Sequence, residues 1–189
     1  MIRHGQTAWN AEGRLQGQKD IPLNDTGRKQ AAGNGTALKG ILGKTVSDFD
    51  FVASPLGRTR ETMEILRRAM GLDPLAYRTD PRLVEVSCGD WEGHTLPELA
   101  AQAPERVEER RHAKWNFIPP GDDAESYEIL SWRIASWLAD VRQPTVCVSH
   151  GGVFRAAFRL HGMGEEEAAN TPIHQDRLLR IDATGMHWL

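Results

Sequence analysis

The chain has 189 residues, of which 40% are hydrophobic, and a formal net charge of -3 at pH 7. This length allows one domain with a buried core, or one domain with an inserted cap. The charge argues against general nucleic-acid binding, so an anion site must come from a local group of arginines and histidines. No apolar run reaches the roughly 20 residues of a membrane span, and the N-terminus is no signal peptide, so we expect no membrane contact and a cytoplasmic location.

The first ten residues place Arg3, His4 and Gly5 side by side. At the mouth of a strand, this trio would combine a fixed positive charge with a nitrogen nucleophile, and Gly5 would let the backbone approach closely. Alone, such a tripeptide is more often an exposed basic turn. A second His-Gly pair, His150-Gly151, follows the apolar run 146–148, and this repeat favours a functional interpretation.

Residues 11 to 25 are polar, rich in glycine and interrupted by proline, which predicts a long loop. Long loops inside a compact domain are often functional. This loop could contact a substrate or could be a solvated loop without a role, and the sequence favours neither interpretation. The candidate contacts are Asn10, Arg14, Gln16 and Gly17. A helix is predicted from Thr26, with Asn24 or Asp25 as its N-cap.

A short strand, Phe49–Ala53, leads through a turn into a helix predicted to end at Met70. Arg58 precedes this helix, whose N-terminus is itself partly positive. Two positive features together suit an anion, although an ordinary surface arginine is equally compatible with the pattern. A strand-like piece then runs over residues 81–86, and alternation places Glu85 on the face opposite its valine neighbours, towards either a site or solvent.

The remaining sequence predicts a cap followed by the rest of a layered domain. Helices over 96–103 and 104–114, with the turn-rich connector 116–123, would form a cap at roughly 91–123. An amphipathic helix over 125–141 follows, and then a buried parallel strand over 145–148. A helix from residue 153 to 160 and two late strands, at 178–181 and 185–189, close the chain. Cys88 and Cys147 are expected to be reduced thiols.

Alternating strands and helices predict an α/β fold, in which ligands bind beyond the carboxyl ends of the strands. The residues Arg3, His4, Arg58, Glu85 and His150 all lie at or just past predicted strand ends. Two arginines, two histidines and one carboxylate around a point suit a phosphoryl group, because guanidinium groups match phosphate oxygens bidentately.

These motifs resemble those of the histidine phosphatase superfamily, also called the phosphoglycerate mutase-like family. The matching stretches run in the family's order over nearly the whole chain: Arg3-His4-Gly5-Gln6-Thr7 with Asn10, Gly13-Arg14, Gln16-Gly17, Asp20-Ile21-Pro22-Leu23, Gly27-Arg28-Lys29-Gln30-Ala31, residues 54–62, Leu83-Val84-Glu85, residues 89–93 and residues 148–152. The resemblance implies one domain over 1–189, built as a three-layer α/β/α sandwich with a mostly parallel central sheet and a small helical cap.

The resemblance also implies a role for each matching residue. His4 would be the nucleophile that becomes phosphorylated, Glu85 would donate a proton to the leaving group, and the remaining residues would bind phosphate or line the pocket: Arg3, Arg58, His150, Gly151, Asn10, Gln16 and Gly17. Neither a metal ion nor another cofactor is implied. The expected partner is a small phosphorylated substrate, and the oligomeric state is left open, a homodimer included.

The sequence favours a phosphatase over a mutase within this family. The glycolytic mutases carry Glu-Arg-His-Tyr-Gly where this chain has Glu85-Val86-Ser87-Cys88-Gly89, and their cap is longer. Mutase-type transfer and a non-catalytic phosphate-binding module stay open as alternatives. A metal-dependent hydrolase is disfavoured because the histidines lack ligand spacing. The family usually has a full apolar strand before Arg-His-Gly, and only two residues precede it here, so we expect leading residues to be absent.

Overall fold

The computed structural model describes all residues from 1 to 189, and a sheet of four parallel strands lies at its centre. The strands are β1 (Ile2–Arg3), β2 (Asp50–Ala53), β3 (Arg78–Thr79) and β4 (Thr145–Ser149), in the order β1-β4-β2-β3. The central strand β4 is the buried apolar run that the sequence predicted. Its register pairs Arg3 with Ser149 and Ala53 with Val148, so the carboxyl ends of β1, β2 and β4 are level with one another.

Eight α-helices surround this sheet. They are α1 (Ala8–Ala11), α2 (Asp25–Leu42), α3 (Gly57–Met70), α4 (Leu96–Gln102), α5 (Pro104–His112), α6 (Tyr127–Asp140), α7 (Gly151–Leu160) and α8 (Glu165–Asn170). The predicted cap of α2 is Asn24, whose side chain accepts a hydrogen bond from the Gly27 amide. No helix is long and apolar enough to cross a membrane.

The two faces of the sheet are buried by different helix pairs, because successive strand side chains point in opposite directions. Phe51 and Val148 pack with apolar side chains of α2 and α3. Val52 and Cys147 pack on the other face with side chains of α6 and α7. This arrangement confirms the predicted three-layer α/β/α fold with a parallel central sheet.

The strand predicted over residues 81–86 was wrong. The structure places the strand earlier, as β3, and residues 81–83 form a short 3-10 turn. Pro81 fixes the backbone dihedral that begins this turn, and the Asp80 carboxylate caps it by accepting a hydrogen bond from the Arg82 amide (3.0 Å). Glu85 therefore lies in an irregular segment beyond a turn, not within a strand.

Three further features complete the fold. Strands β5 (Leu179–Asp182) and β6 (Gly185–Trp188) form an antiparallel hairpin that is joined to β1 through the pair Ile2–Leu178. Helices α4 and α5 occupy the segment predicted to be the cap, and a small apolar cluster of Trp91, Leu99 and Phe117 packs beneath them. The sequence did not predict α1 or α8. Both cysteines are free thiols.

Candidate active site

Two histidines meet at the carboxyl edge of the sheet. His4 follows β1 and His150 follows β4, and their ring centroids are 5.2 Å apart with the rings edge to face. Only 3% of His4 and 0% of His150 is exposed. The parallel register of β1 and β4 brings together two His-Gly motifs that are far apart in sequence.

The His4 ring has one defined tautomer. Its Nδ1 lies 2.8 Å from the Gly5 carbonyl oxygen, an acceptor only, so Nδ1 carries the proton and Nε2 keeps a free lone pair. Burial lowers the pKa of His4 well below its usual value, and the nearby Arg58 and Arg3 lower it further. His4 is therefore a neutral imidazole with an available nucleophilic nitrogen.

Gly5 is needed beside His4 because two backbone segments touch there. A β-carbon on Gly5 would lie only 2.2 Å from the Gly27 carbonyl oxygen, at the start of α2. The Gly5 amide donates a hydrogen bond to Thr62 Oγ1 on α3 (3.1 Å). Helices α2 and α3 thus hold the backbone that carries His4.

Arg3 presents an open guanidinium edge to the site. Its Nη1 donates to the Ile173 carbonyl (2.9 Å), whereas its buried Nε has no partner in the protein. Burial lowers the pKa of Arg3 to about 10, and the Glu85 carboxylate partly opposes this effect. The group is still cationic near neutral pH, so an unsatisfied, charged donor lies next to Gly151, the residue that follows His150.

Arg58, in contrast, is mainly bonded to the loop that precedes α2. Its Nη1 and Nη2 donate to the carbonyls of Lys19 and Gly17, each at 2.7 Å. With the Gln16 amide oriented so that its nitrogen donates to Thr7 Oγ1, the Gln16 oxygen accepts from Arg58 Nε (2.7 Å) and Nη1 (3.0 Å). Four of the five guanidinium N–H groups are then used, which leaves one N–H of Nη2.

This network changes the interpretation of Gln16 and Gly17, which the sequence nominated as substrate contacts. Both residues bond to Arg58 and so hold its guanidinium group in place. Sequence analysis also missed Asp20, whose carboxylate accepts hydrogen bonds from the Gly57 amide (2.6 Å) and the Arg58 amide (3.3 Å). Helix α3 has no side-chain cap of its own, so a loop 37 residues away supplies one.

His150 is the second buried imidazole of the site. Its Nε2 lies 2.8 Å from Ser54 Oγ, and its Nδ1 is buried without a partner. A proton on Nδ1 would make the Ser54 hydroxyl the donor to Nε2, and a proton on Nε2 would make it the acceptor. Burial lowers the pKa of His150 well below its usual value, and the charge of Arg58 adds to this effect. His150 is therefore a neutral imidazole whose buried Nδ1 has no partner in the protein.

Glu85 is half-buried and faces the N-terminus of α7. Its carboxylate accepts hydrogen bonds from the Val86 amide (2.9 Å) and the Gly152 amide (3.0 and 3.1 Å). A β-carbon on Gly152 would lie 2.3 Å from Glu85 Oε1, so any larger residue at this position would displace the carboxylate. The second glycine of the His150-Gly151-Gly152 motif thus makes room for the carboxylate.

The other nominated residues lie at the edges of the pocket. Asn10 Oδ1 accepts hydrogen bonds from the Thr7 amide (3.2 Å) and from Gln175 Nε2 (3.1 Å). A β-carbon on Gly151 would lie 3.7 Å from Arg3 Nε and 3.2 Å from Arg155 Nη1, so both guanidinium groups flank this glycine. Gln175 had no signal in the sequence, because it lies in a polar loop 171 positions from His4.

A second group of cations lies beside Glu85, under the helical cap. Arg110 and Lys114 line a cleft together with Val86, Ser87 and Tyr127. Burial, Arg155 and Arg110 lower the pKa of Lys114 to about 8. Glu125 also lines this cleft, where it pairs with Arg133 (3.0 Å), whereas neither Arg110 nor Lys114 forms an ion pair, so the charged lining residues carry a net positive charge.

The fold and the site together define an enzyme of phosphate esters: a parallel α/β sheet whose strand ends gather two arginines, two neutral histidines and a carboxylate. No three His, Cys, Asp or Glu side chains are placed to hold a metal ion. The family model of the histidine phosphatase superfamily (branch 1) matches residues 1–189. The chain belongs to this superfamily.

Individual relatives include both phosphatases and a mutase. The chain is 39% identical to the probable phosphoglycerate mutase GpmB of Escherichia fergusonii, over 80% of its own length and 68% of the relative's. It is 36% identical to the glucosyl-3-phosphoglycerate phosphatase of Mycobacterium tuberculosis, over 82% and 71% of the two lengths. A solved structure of a putative alpha-ribazole-5'-P phosphatase from Escherichia coli matches with a TM-score of 0.78 at 25% identity, covering 100% of this chain and 92% of that one. The enzyme class that these relatives support is phosphatase.

Proposed function

We propose that this protein hydrolyses small phosphomonoesters in two steps, through a phosphohistidine at His4 and without a metal ion. The observation that carries the proposal is the neutral His4 ring, with its Nε2 free, beside two buried nitrogens that have no partner in the protein, Arg3 Nε and His150 Nδ1. In this proposal the His150 proton is on Nδ1 and the Ser54 hydroxyl donates to Nε2. Unsatisfied buried donors are costly, and the three equatorial oxygens of a phosphoryl group would satisfy them.

In the first step, His4 Nε2 attacks phosphorus, and the bond from phosphorus to the leaving oxygen breaks. Arg3, His150 and the remaining Arg58 N–H stabilise the negative charge on the equatorial oxygens. Glu85, in its protonated form, gives its proton to the leaving oxygen. In the second step, Glu85 takes a proton from water, which attacks phosphorus and releases His4 and inorganic phosphate.

The cleft next to Glu85 favours substrates whose leaving group carries a second negative charge. Arg110 and Lys114 line this cleft without a carboxylate partner, and Val86 and Ser87, which follow Glu85, line it as well. Two of the compared proteins are named for phosphoglycerate compounds, which carry such a charge. We therefore propose acidic phosphate esters of this kind as the substrate class.

The test is to trap the intermediate. Brief reaction with a ³²P-labelled substrate should label the wild-type chain with phosphate that is labile in acid and stable in base, and His4→Ala should carry no label and less than about 1% of wild-type turnover. The exposed His112 provides a matched control, because His112→Ala should be labelled normally. Acid-stable label would indicate a serine or threonine ester instead.

The products of the labelling reaction and a second assay in EDTA distinguish the alternative functions. A phosphatase releases inorganic phosphate, whereas a mutase returns the label to an isomer of the substrate. Turnover in EDTA equal to that in its absence supports the metal-independent route, and loss of turnover that added metal restores would contradict it. A chain that binds phosphate without any turnover would be a binding module.

A further inference from the structure

The segment between α8 and β5, residues 171–178, contacts both members of the Arg3-His4 pair. The Ile173 carbonyl accepts a hydrogen bond from Arg3 Nη1 (2.9 Å). Gln175 Nε2 donates to the His4 carbonyl oxygen and to Asn10 Oδ1, each at 3.1 Å. This segment, distant in sequence, thus contacts the side chain of Arg3 and the backbone of His4.

The Gln175 amide has a fixed orientation. Its nitrogen has two N–H groups, and both neighbouring atoms, a carbonyl oxygen and an amide oxygen, are acceptors. The Asn10 oxygen is itself identified by the bond that it accepts from the Thr7 amide. The Gln175 backbone is anchored as well, because its carbonyl accepts a hydrogen bond from Nδ2 of the buried Asn34 on α2 (2.9 Å).

These contacts hold the peptide unit between His4 and Gly5 from both ends. Gln175 binds its C=O, and Thr62 Oγ1 binds its N–H (3.1 Å). The next carbonyl, that of Gly5, accepts the Nδ1 proton of the His4 ring. A rotation of the first peptide plane would move Gly5 O and so disturb the bond that sets the ring's tautomer and direction.

We infer that Gln175 is a positioning residue for the nucleophile: its amide fixes the His4–Gly5 peptide plane, and that plane orients the His4 ring with Nε2 towards phosphorus. This inference rests on the proposed role of His4 as the nucleophile. Gln175 acts through His4 and Asn10, so its loss should slow formation of the phosphohistidine more than it weakens phosphate binding.

The first test is Gln175→Leu, which keeps the approximate size of the side chain and removes both donors. The single-turnover rate of His4 phosphorylation should fall about ten- to a hundredfold, the scale expected when a reacting group is displaced by about 1 Å. The inhibition constant of inorganic phosphate should change by less than about threefold. Gln143→Leu, at the opposite end of β4 on an exposed side chain, is the matched control and should keep the wild-type rate.

A second variant separates the lost donors from a general loss of packing. Gln175→Glu places a carboxylate opposite two oxygen acceptors, and only its protonated form has a proton to donate. Relative to wild type at each pH, its phosphorylation rate should rise as the pH falls from 7.5 to 5.5, whereas the deficit of Gln175→Leu should stay constant. If repulsion of the substrate were the cause, the inhibition constant of phosphate would follow the rate with pH.

A measurement without turnover keeps this inference distinct from the proposed function. The ¹⁵N shifts of the His4 ring report its tautomer in the free enzyme: the wild type should show Nδ1–H alone, and Gln175→Leu a mixture of both tautomers. A single tautomer and a wild-type rate in folded Gln175→Leu would overturn the inference. Absence of label on wild-type His4 would overturn only the proposed function, and the tautomer measurement would still decide the role of Gln175.

Discussion

Arg3 and Arg58 use their guanidinium groups differently within the site. Arg58 uses most of its N–H groups on the loop of residues 16–20, whereas Arg3 uses one nitrogen on Ile173 and has a buried, unpartnered Nε. The adjacent Nε and Nη2 of a guanidinium group form a fork that matches two phosphate oxygens. Arg3 is therefore the better candidate for bidentate phosphate binding, and Arg58 for supporting the loop while adding charge.

Substitution by lysine should separate these roles, because lysine keeps the charge and loses the fork. Arg3→Lys should weaken inhibition by inorganic phosphate about ten- to a hundredfold, the value of a charge-assisted bidentate pair of about 1.5–3 kcal/mol. Arg58→Lys should weaken it less and lower the melting temperature more, since buried carbonyls lose their donors. Equal loss of phosphate inhibition in both variants, with no change in melting temperature, would contradict this division.

Glu85 is held by the backbone amides of Val86 and Gly152, and its proposed role as a proton donor predicts a dependence on the leaving group. Glu85→Gln should slow single-turnover hydrolysis of an alkyl phosphate by about 10²- to 10⁴-fold, and that of p-nitrophenyl phosphate far less, because a nitrophenolate leaves without a proton. Single-turnover rates are compared so that hydrolysis of phosphohistidine does not mask the difference. Asp48→Asn, at an exposed position before the amino end of β2, is the control. Equal losses on both substrates would exclude Glu85 as the acid and direct attention to Glu92 or Asp90.

At the scale of elements, periodicity and strand composition predicted most of the fold. The apolar run in β4, the one-sided stripe of α6 and the late β5–β6 hairpin were all predicted close to their observed bounds. The strand over residues 81–86 failed because alternation is a weaker signal than a Pro81 turn capped by Asp80. The proline and the Asp80 cap determine the backbone conformation there, in spite of the alternating side-chain pattern.

From the sequence, only those residues of the candidate site that follow a strand could be predicted. His4, Arg58 and His150 follow β1, β2 and β4, so topology alone brings them together. Asp20 and Gln175 act from loops, where neither spacing nor composition indicates the direction of a side chain. Their partners are 37 and 171 positions away in sequence, and only the packed structure identifies these pairs.

The helical cap carries a prediction about substrate choice. If Lys114 binds a second charge on the leaving group, kcat/KM for 3-phosphoglycerate should exceed that for glycerol 3-phosphate, and Lys114→Met should reduce this ratio about tenfold, as expected for a hydrogen bond to a charged group. In the wild type the ratio should also fall as pH rises past about 8, because burial and neighbouring arginines set the pKa of Lys114 there. Lys29→Met, an exposed lysine on α2, should keep the ratio. If Lys114→Met leaves the ratio unchanged, Lys114 does not bind the second charge, and other cap residues determine the specificity.

On the scale of the whole molecule, the site depends on contacts between the two ends of the chain. Strand β1 pairs with β4, Leu178 pairs with Ile2, and Gln175 contacts His4. Contacts of such high sequence separation form late, because loop-closure entropy opposes them until the sheet is assembled. The catalytic geometry should therefore appear only when nearly all of the chain is folded, which makes global stability a condition for activity.

The two buried histidines make that stability dependent on pH. Burial, Arg58 and Arg3 lower the pKa values of His4 and His150 in the folded chain, so both stay neutral where unfolded histidine, with a pKa near 6.5, takes up a proton. As pH falls below about 6.5, the unfolded chain binds more protons than the folded chain, and the free energy of unfolding decreases by up to about 1.4 kcal/mol per pH unit for each histidine. Above this pH both states are neutral at these positions and the effect disappears.

Urea denaturation between pH 7.5 and 5.5, in buffers without phosphate, should show this slope in the wild type, and His4→Asn or His150→Asn should each remove about half of it. His112→Asn, at an exposed site, is the control, and a slope that neither buried substitution reduces would show that both rings are protonated in the folded chain.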